Sequence, residues 1–304
     1  MMTMHQNPPL LRDLPKLGRE EFRLLGELVS GFCGIQLSEN NRLRVQRLLG
    51  PRLKTLGMSS FLDYCRYLTR QDRDQAEYFR LAEIVANNET YFFREAYQLK
   101  TFAEEILPVL AQRNRRMRRL SIWSAGCSSG EEPYTLAMLV LESGLFDETW
   151  DLRVLGTDIS GRVLAKARRG IYGKSSFRTK EAEDPHILTT YFRETPEGMA
   201  VTDQLRSLVR FARTNLVDQA DLGPVPPVDV IFCRNVLIYF PAWQRRRVVE
   251  SFHAKLRPGG FLLLGHSENL LSTTTQFEYV QFAADLVYKK PERPGTMRKG
   301  LDEP

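Results

Sequence analysis

Apolar positions in the first third of the chain recur at helical spacing. Phe22, Leu25, Leu28 and Val29 share one face, as do Leu43, Leu48 and Leu49. Phe61, Tyr64, Cys65 and Leu68 repeat the pattern, followed by Phe79, Leu81, Ile84 and Val85. Ser38 and Ser59 or Ser60 stand where N-caps belong, and Pro51 after Gly50 is expected to kink or split one helix. These spacings predict four or five short helices and no strand, a helical domain over residues 19–86. Residues 87–95 read as an interdomain segment and 96–113 as one more helix. The texture then changes. Leu120–Ser124, Leu152–Thr157, Val228–Cys233 and Phe261–Gly265 are short apolar runs, separated by helical stretches at 131–143, 160–169 and 242–256. Alternating strands and helices predict βαβ units and a parallel sheet covered on both faces. Phe277–Gln281 and Asp285–Lys289 are expected to close it as a hairpin. Between Arg169 and Val228 the rhythm breaks. Thr190–Arg193, Met199–Val201 and Leu208–Ala212 are read there as short strands of a β insertion spanning 172–212. Residues 1–18 read as a disordered leader and 291–304 as a tail.

Composition narrows the class. Hydrophobic residues make up 42% and charged residues 26% of 304, which excludes a mostly disordered or low-complexity chain. No apolar run approaches the roughly 20 residues of a membrane span, and residues 1–13 hold no signal-peptide core, so a cytoplasmic protein is expected. Cys33, Cys65, Cys127 and Cys233 are too scattered for a zinc site or a disulfide framework and read as buried thiols; no metal is expected.

The first chemical motif follows the first strand. In Ser124-Ala125-Gly126-Cys127-Ser128-Ser129-Gly130-Glu131-Glu132-Pro133, a tight turn of small residues opens a helix at the ligand-binding end of an open α/β sheet. Gly126 and Gly130 are expected to let the backbone approach a ligand. Glu131 and Glu132 at the helix start would repel phosphate and welcome an ammonium or a hydroxyl, which favours S-adenosylmethionine over a nucleotide. Their simpler role is to complement the helix dipole. Asp158, at the tip of the second strand, is suited to accept both ribose hydroxyls or to cap the helix starting near Ser160. Paired with the first turn, the ribose reading is favoured. Arg234 and Asn235 emerge from the strand ending at Cys233, with Tyr239 one short turn on. Asn7-Pro8-Pro9-Leu10 is set aside as part of the leader, since it lacks the aromatic residue of the amino-methylating motif and precedes every strand.

Five segments in order, NNETYFFRE, SAGCSSGEEPYTLAM, TDIS, FCRNVLIYF and LRPGGFLLLGHSENL, resemble the chemotaxis receptor protein-glutamate O-methyltransferases of the CheR type, over roughly residues 20–290. The resemblance implies an all-α N-terminal domain, then a class I SAM-dependent methyltransferase (Rossmann-like) domain over 96–290 with a small antiparallel β subdomain inserted. It implies S-adenosylmethionine as cofactor, with S-adenosylhomocysteine as product. Carried over, Asn88, Thr90 and Arg94 line the cofactor and active-site side, Glu131 holds the methionine end and Asp158 the ribose. Asn215 and Leu216 flank the adenine, Arg234 and Asn235 complete the pocket, and Arg94 and Tyr239 are the catalytic pair.

The implied reaction methylates glutamate carboxylates on the cytoplasmic helical bundle of chemotaxis receptors, for sensory adaptation. Two other readings compete: an RNA methyltransferase, prompted by the pI of 9.2 and the arginines at 113, 115, 116, 118 and 119, and a non-catalytic receptor-binding module. No RNA-binding signature accompanies the arginines, so no nucleic acid is expected. A monomer with no membrane insertion is expected. Seven basic residues (Arg42, Arg44, Arg47, Arg52, Lys54, Arg66, Arg70) face one acid, Asp63, between residues 40 and 70, and suit an acidic receptor. In the insertion, Arg193–Gly198 reads as a loop with a single glycine, stiffened by Pro196 and shorter than that of relatives that grip a receptor's C-terminal pentapeptide. Independence from that peptide is expected.

Overall fold

The computed structural model describes residues 14–70, 75–270, 276–283 and 285–292. Of the expected leader 1–18, residues 1–13, with Asn7–Leu10, lie outside these, as does the tail from residue 293. The end of the leader is corrected: Leu14 and Leu17 are buried, and the Leu17 N–H donates to Gln46 Oε1 at 3.2 Å. The chain divides into two compact units, residues 1–87 with 239–241, and residues 88–238 with 242–304.

Among the described residues the first unit holds four α-helices and no strand: α1 Arg19–Cys33, α2 Arg42–Thr55, α3 Phe61–Arg70 and α4 Gln75–Val85. α1 buries Phe22, Leu25 and Val29 and α3 buries Phe61, Tyr64 and Leu68, as their spacing predicts. On α2 the expected face is corrected: Val45, Leu49 and Leu53 are buried at i, i+4 and i+8, and Leu43 and Leu48 are exposed. Ser60 caps α3, its hydroxyl accepting the Asp63 N–H at 3.1 Å. Pro51 does not split its helix: α2 runs through it. Pro51 is exposed, and the buried residues on either side hold the turn despite the missing N–H. A buried polar knot joins three helices. Glu77 of α4 accepts from Arg52 Nε of α2 at 3.0 Å and from the Tyr64 hydroxyl of α3 at 2.8 Å.

The second unit opens with α5 Ala96–Thr101 and α6 Leu107–Asn114, joined by a π-helical turn at Phe102–Ile106. Then follow β1 Arg119–Ala125, α7 Glu131–Glu142, β2 Asp151–Asp158, α8 Gly161–Arg169, β3 Ile171–Tyr172, α9 Pro185–Tyr191, β4 Phe192–Thr195, β5 Gly198–Val201, α10 Asp203–Leu208, β6 Val209–Arg213, α11 Gln219–Leu222, β7 Val228–Cys233, α12 Ala242–Lys255, β8 Leu256–Leu264, β9 Glu278–Gln281 and β10 Leu286–Lys289. The main sheet has the order β6-β2-β1-β7-β8-β10-β9. Its first five strands are parallel, and β10 and β9 run antiparallel as the expected closing hairpin. The central strands β1 and β7 are buried on both faces, which is why they read as unbroken apolar runs.

The interval 172–212 is divided differently from the sequence expectation. A three-stranded antiparallel sheet, β3-β5-β4, forms from residues 171–172, 192–195 and 198–201. The run at 208–212 is not part of it. It is β6, an edge strand of the main sheet lying parallel to β2. Nor is 193–198 a loop. Thr195 pairs with Gly198, leaving only Pro196 and Glu197 in the turn.

At the N-terminal end of β7, opposite the ligand end, Asp229 is fully buried. Its carboxylate accepts from Arg113 at 2.6 Å, Asn114 at 3.1 Å, the Ser121 N–H at 2.9 Å and Arg257 at 2.9 Å. One acid thus pins α6, β1 and β8 to β7, and part of the arginine cluster is structural. Removing one partner of such a buried network leaves charges unanswered. Asp229→Ala is expected to lower stability by about 3 kcal/mol, roughly 6–12 °C in melting temperature. An unchanged thermal transition would show these ion pairs to be idle.

Candidate active site

In this strand order β1 lies between β2 and β7, so chain connections leave β1 in opposite directions and a crevice opens at the C-terminal ends of the strands. The registers align those ends: Ala125 pairs with Thr157, Asp158 with Arg213 and Ser124 with Phe232. The turn after β1 is drawn over β2, with the Gly126 and Cys127 N–H groups donating to the Thr157 carbonyl at 2.7 and 2.8 Å. Four non-glycine residues with positive φ cluster around the crevice: Phe93, Glu95, Ser128 and Asn235. Such backbone is retained where surrounding contacts over-determine it.

The two glycines of the turn have a different reason from the one expected. At Gly126, φ +80°, a Cβ would lie 2.4 Å from a methyl of Val236. At Gly130, φ +94°, it would lie 2.7 Å from the Ala167 side chain. Both are fixed by positive φ and protein packing.

Asp158 is buried, and its two oxygens accept the N–H groups of Ser128 and Ser160, each at 2.9 Å. Ser160 itself caps α8 by accepting from Val163 N–H. The Asp158 carboxylate therefore ties the two loops at the crevice.

The two glutamates of α7 diverge. Glu131 turns inward, fully buried; it accepts from Ser129 Oγ at 2.7 Å and Ser176 Oγ at 2.8 Å, with Lys166 Nζ at 3.7 Å. It braces the insertion. Glu132 turns the other way, toward the tip of β1. It accepts from Ser124 Oγ at the tip of β1 at 2.7 Å and pairs with Arg234 at 3.2 Å.

Arg234, its side chain only 2% exposed, also pairs with Glu95 at 3.1 Å and donates to the Arg94 carbonyl. Asn235 donates its amide to Glu95 at 3.3 Å. Its Oδ1 and Arg234 Nε are buried without a hydrogen-bond partner. Cys127 and Cys233 sit among these acids. Burial pushes both thiols well above their usual range, so neither is a thiolate nucleophile.

The Asn88 carbonyl accepts from Ser128 Oγ at 2.8 Å, and Thr90 is half-buried beside it in sequence. Arg94 donates to the Glu89 carbonyl at 2.9 Å and lies over the Tyr91 ring. Arg178 also lies over that ring and pairs with the Glu89 carboxylate at 2.8 Å. Asn215 and Leu216 are buried just past β6, where the Asn215 N–H donates to Asp221 at 2.9 Å. Tyr239 belongs to the first unit, where its hydroxyl accepts from Asn87 at 3.1 Å and its carbonyl from the Gln36 N–H at 2.8 Å.

The sequence reading gave no role to Glu268. Its carboxylate accepts four backbone N–H groups: Asn235 at 2.8 Å, Val236 at 2.9 Å, Ile238 at 3.2 Å and Gly265 at 2.7 Å. Burial raises its pKa, against the pull of those N–H groups. It fixes the loop that carries Arg234 and Asn235. In Glu268→Gln the amide NH2 meets N–H donors that had faced an oxygen. The variant is expected to lose about 2 kcal/mol and to exchange the Asn235, Val236 and Ile238 amides faster. Unchanged exchange at all three would remove Glu268 from the loop's support.

The arrangement fits S-adenosylmethionine on its own chemistry. Glu132 and Glu95 offer acceptors to an ammonium, the unpartnered Asn235 Oδ1 offers another, and Asp158 stands at the tip of β2, the ribose place of such a sheet. A phosphate would meet carboxylates. The comparisons agree. Residues 88–285 match the SAM-binding domain, and residues 20–82 the all-alpha domain, of CheR methyltransferases. Chemotaxis protein methyltransferase 2 of Vibrio cholerae serotype O1 is 37% identical over 261 residues, 86% of this chain and 89% of that protein. Chemotaxis protein methyltransferase 1 of Pseudomonas aeruginosa is 33% identical over 274 residues, 88% of this chain and 97% of that protein. Among solved structures, the N-methyltransferase NodS of Bradyrhizobium japonicum with S-adenosylhomocysteine aligns at 15% identity and a TM-score of 0.36, covering 62% of this chain and 88% of that one. The two family models and the strand order together make the fold an all-α domain followed by a class I methyltransferase domain with a small antiparallel sheet inserted. The chain belongs to the CheR methyltransferase family, whose enzymes use S-adenosylmethionine.

Proposed function

We propose that this enzyme transfers a methyl group from S-adenosylmethionine to glutamate carboxylates on the helical cytoplasmic bundle of chemotaxis receptors. The observation that carries the reading is the pairing of Asp158, bonded to both crevice loops, with the Glu132–Arg234–Glu95 group across the tip of β1. Asp158 takes the ribose, Glu131 at the head of α7 holds the methionine end, with Glu132 and Asn235 beside it, and Asn215 and Leu216 flank the adenine. Asn88 and Thr90 complete the wall. The bound cofactor supplies a methyl activated by its sulfonium.

The chain's own work is positional. A glutamate acceptor, with a pKa of about 4.3, is ionised at neutral pH and needs no general base. Arg94, held by the Glu89 carbonyl and the Tyr91 ring, keeps further N–H donors with which to aim that carboxylate. Tyr239 shapes its approach. Labelled methyl transfer to a receptor cytoplasmic fragment, and none to RNA, tests the reaction. Asp158→Ala is expected to weaken cofactor binding by roughly 1–3 kcal/mol in calorimetry. Arg94→Ala is expected to lower turnover more than Tyr239→Phe, with melting unchanged. Unaltered affinity and rates in these variants would displace the site.

Substrate capture is assigned to the helical unit, in the cytoplasm. Of the seven basic residues, Arg42 pairs with Glu39, Arg52 with Glu77 and Arg66 with Asp63, so these are partly committed. Arg44, Arg47 and Lys54 remain on the exposed face of α2, beside the exposed Leu43 and Leu48. The two-residue Pro196–Glu197 turn, with Glu197 paired to Arg169, supports independence from a receptor's C-terminal pentapeptide. Charge reversal at Arg47 and Lys54 is expected to slow receptor methylation and flatten its salt dependence, while a tail peptide binds no tighter than millimolar. An unchanged salt profile, or micromolar peptide binding, would overturn this assignment.

A further inference from the structure

Helix α12 follows the tip of β7 and returns to β8, so its first turns lie at the crevice end of the sheet. Its outward residues are Trp243, Arg246, Arg247 and Glu250, all exposed. Positions i, i+3, i+4 and i+7 form one stripe. Trp243 is 58% exposed, and Ile238, just before the helix, is 42% exposed. A tryptophan left this open in water is unusual, and Trp with Arg is the pair most enriched at binding hot spots. Among the described residues the guanidinium groups of Arg246 and Arg247 form no ion pair. The opposite face of the helix buries Gln244, Val248, Val249 and Phe252, so the stripe plays no part in packing α12.

The occupant follows from charge and chemistry. A segment that accepts methyl groups on glutamates is acidic, and a helix in such a bundle presents carboxylates at i and i+3 or i+4 along one face. Two adjacent arginines one turn beyond an apolar anchor match that spacing. We infer that the Trp243–Arg246–Arg247 face of α12 is a docking surface for the acidic helix that carries the methyl-accepting glutamates. The inference rests on the methyltransferase reading above. In it, Trp243 seats against apolar side chains of the partner helix near the crevice, and the two arginines meet carboxylates that are not themselves being methylated.

The test uses the full-length protein and the purified cytoplasmic fragment of a chemoreceptor encoded in the same genome. Trp243→Ala and the double charge reversal Arg246→Glu/Arg247→Glu are each expected to raise the KM for the fragment by about tenfold, with kcat within twofold of wild type. Calorimetric affinity for S-adenosylmethionine and the thermal transition are expected to stay unchanged, since the stripe touches neither. The charge reversal is further expected to weaken the dependence of KM on salt. A wild-type protein that methylates the fragment while both variants keep its KM overturns this surface alone. A wild-type protein that methylates no receptor fragment overturns the methyltransferase reading and this surface with it. A fluorescent RNA hairpin is titrated in parallel. Micromolar RNA binding that both variants lose, with receptor KM unmoved, assigns the face to nucleic acid and overturns the proposal.

Discussion

A buried cation organises the active-site end of this protein. Arg234 leaves the tip of the central strand β7 with its side chain almost wholly out of water. Taking a guanidinium out of water costs several kcal/mol unless charge and hydrogen bonds answer it in good geometry. The answers come from distant parts of the chain: Glu95 and the Arg94 carbonyl from the segment before α5, and Glu132 from the first turn of α7. Satisfying Arg234 therefore brings the Asn88–Glu95 segment, the turn after β1 and the loop after β7 to one place. Positive φ values fall on Glu95, the ion-pair partner of Arg234, and on Asn235, its neighbour in the chain.

Around this cation the charges are divided by depth. Asp229 holds the lower end of β7 with arginines, and Asp158 holds the upper end of β2 with backbone N–H groups. Glu268 likewise spends its carboxylate on backbone N–H groups. The crevice is thus lined by acids whose geometry is set before any ligand arrives, which is what a reaction needing orientation rather than proton transfer requires.

Much of this was legible in the chain. Buried parallel strands read as apolar runs, and β1, β2 and β7 fell within a residue or two of their observed limits. α1, α3 and α4 carried their stripes, whereas α2 turns Leu43 and Leu48 outward and buries Val45 and Leu53 with Leu49. What was missed has physical causes. The edge strand β6 is half-exposed and alternates, so Val209–Arg213 looked like one more short strand of the insertion. The strand expected at Phe261–Gly265 starts earlier: Leu256–Gly260, with Pro258 and Gly259 breaking its apolar run, is drawn out into β8 with a register shift against β7. Adjacent glutamates on a helix point about 100° apart, and only the packing shows that Glu131 meets Ser176 while Glu132 meets Ser124 and Arg234. Glu268 left no periodic signal at all, because its partners are main-chain groups.

The stretch Tyr239–Pro241 groups with the helical unit although it lies about 150 residues downstream, between β7 and α12. Phe240 is buried, and the Tyr239 carbonyl and hydroxyl both have partners from before residue 88. The two units are therefore interleaved along the gene rather than joined end to end. A cut near residue 88 would yield a helical fragment missing three of its own residues and a catalytic fragment carrying a buried phenylalanine with no home. Swapping the helical part between relatives to change substrate choice would have to carry Tyr239–Pro241 along with it. The two parts are bound to evolve as a matched set, even though each has its own core.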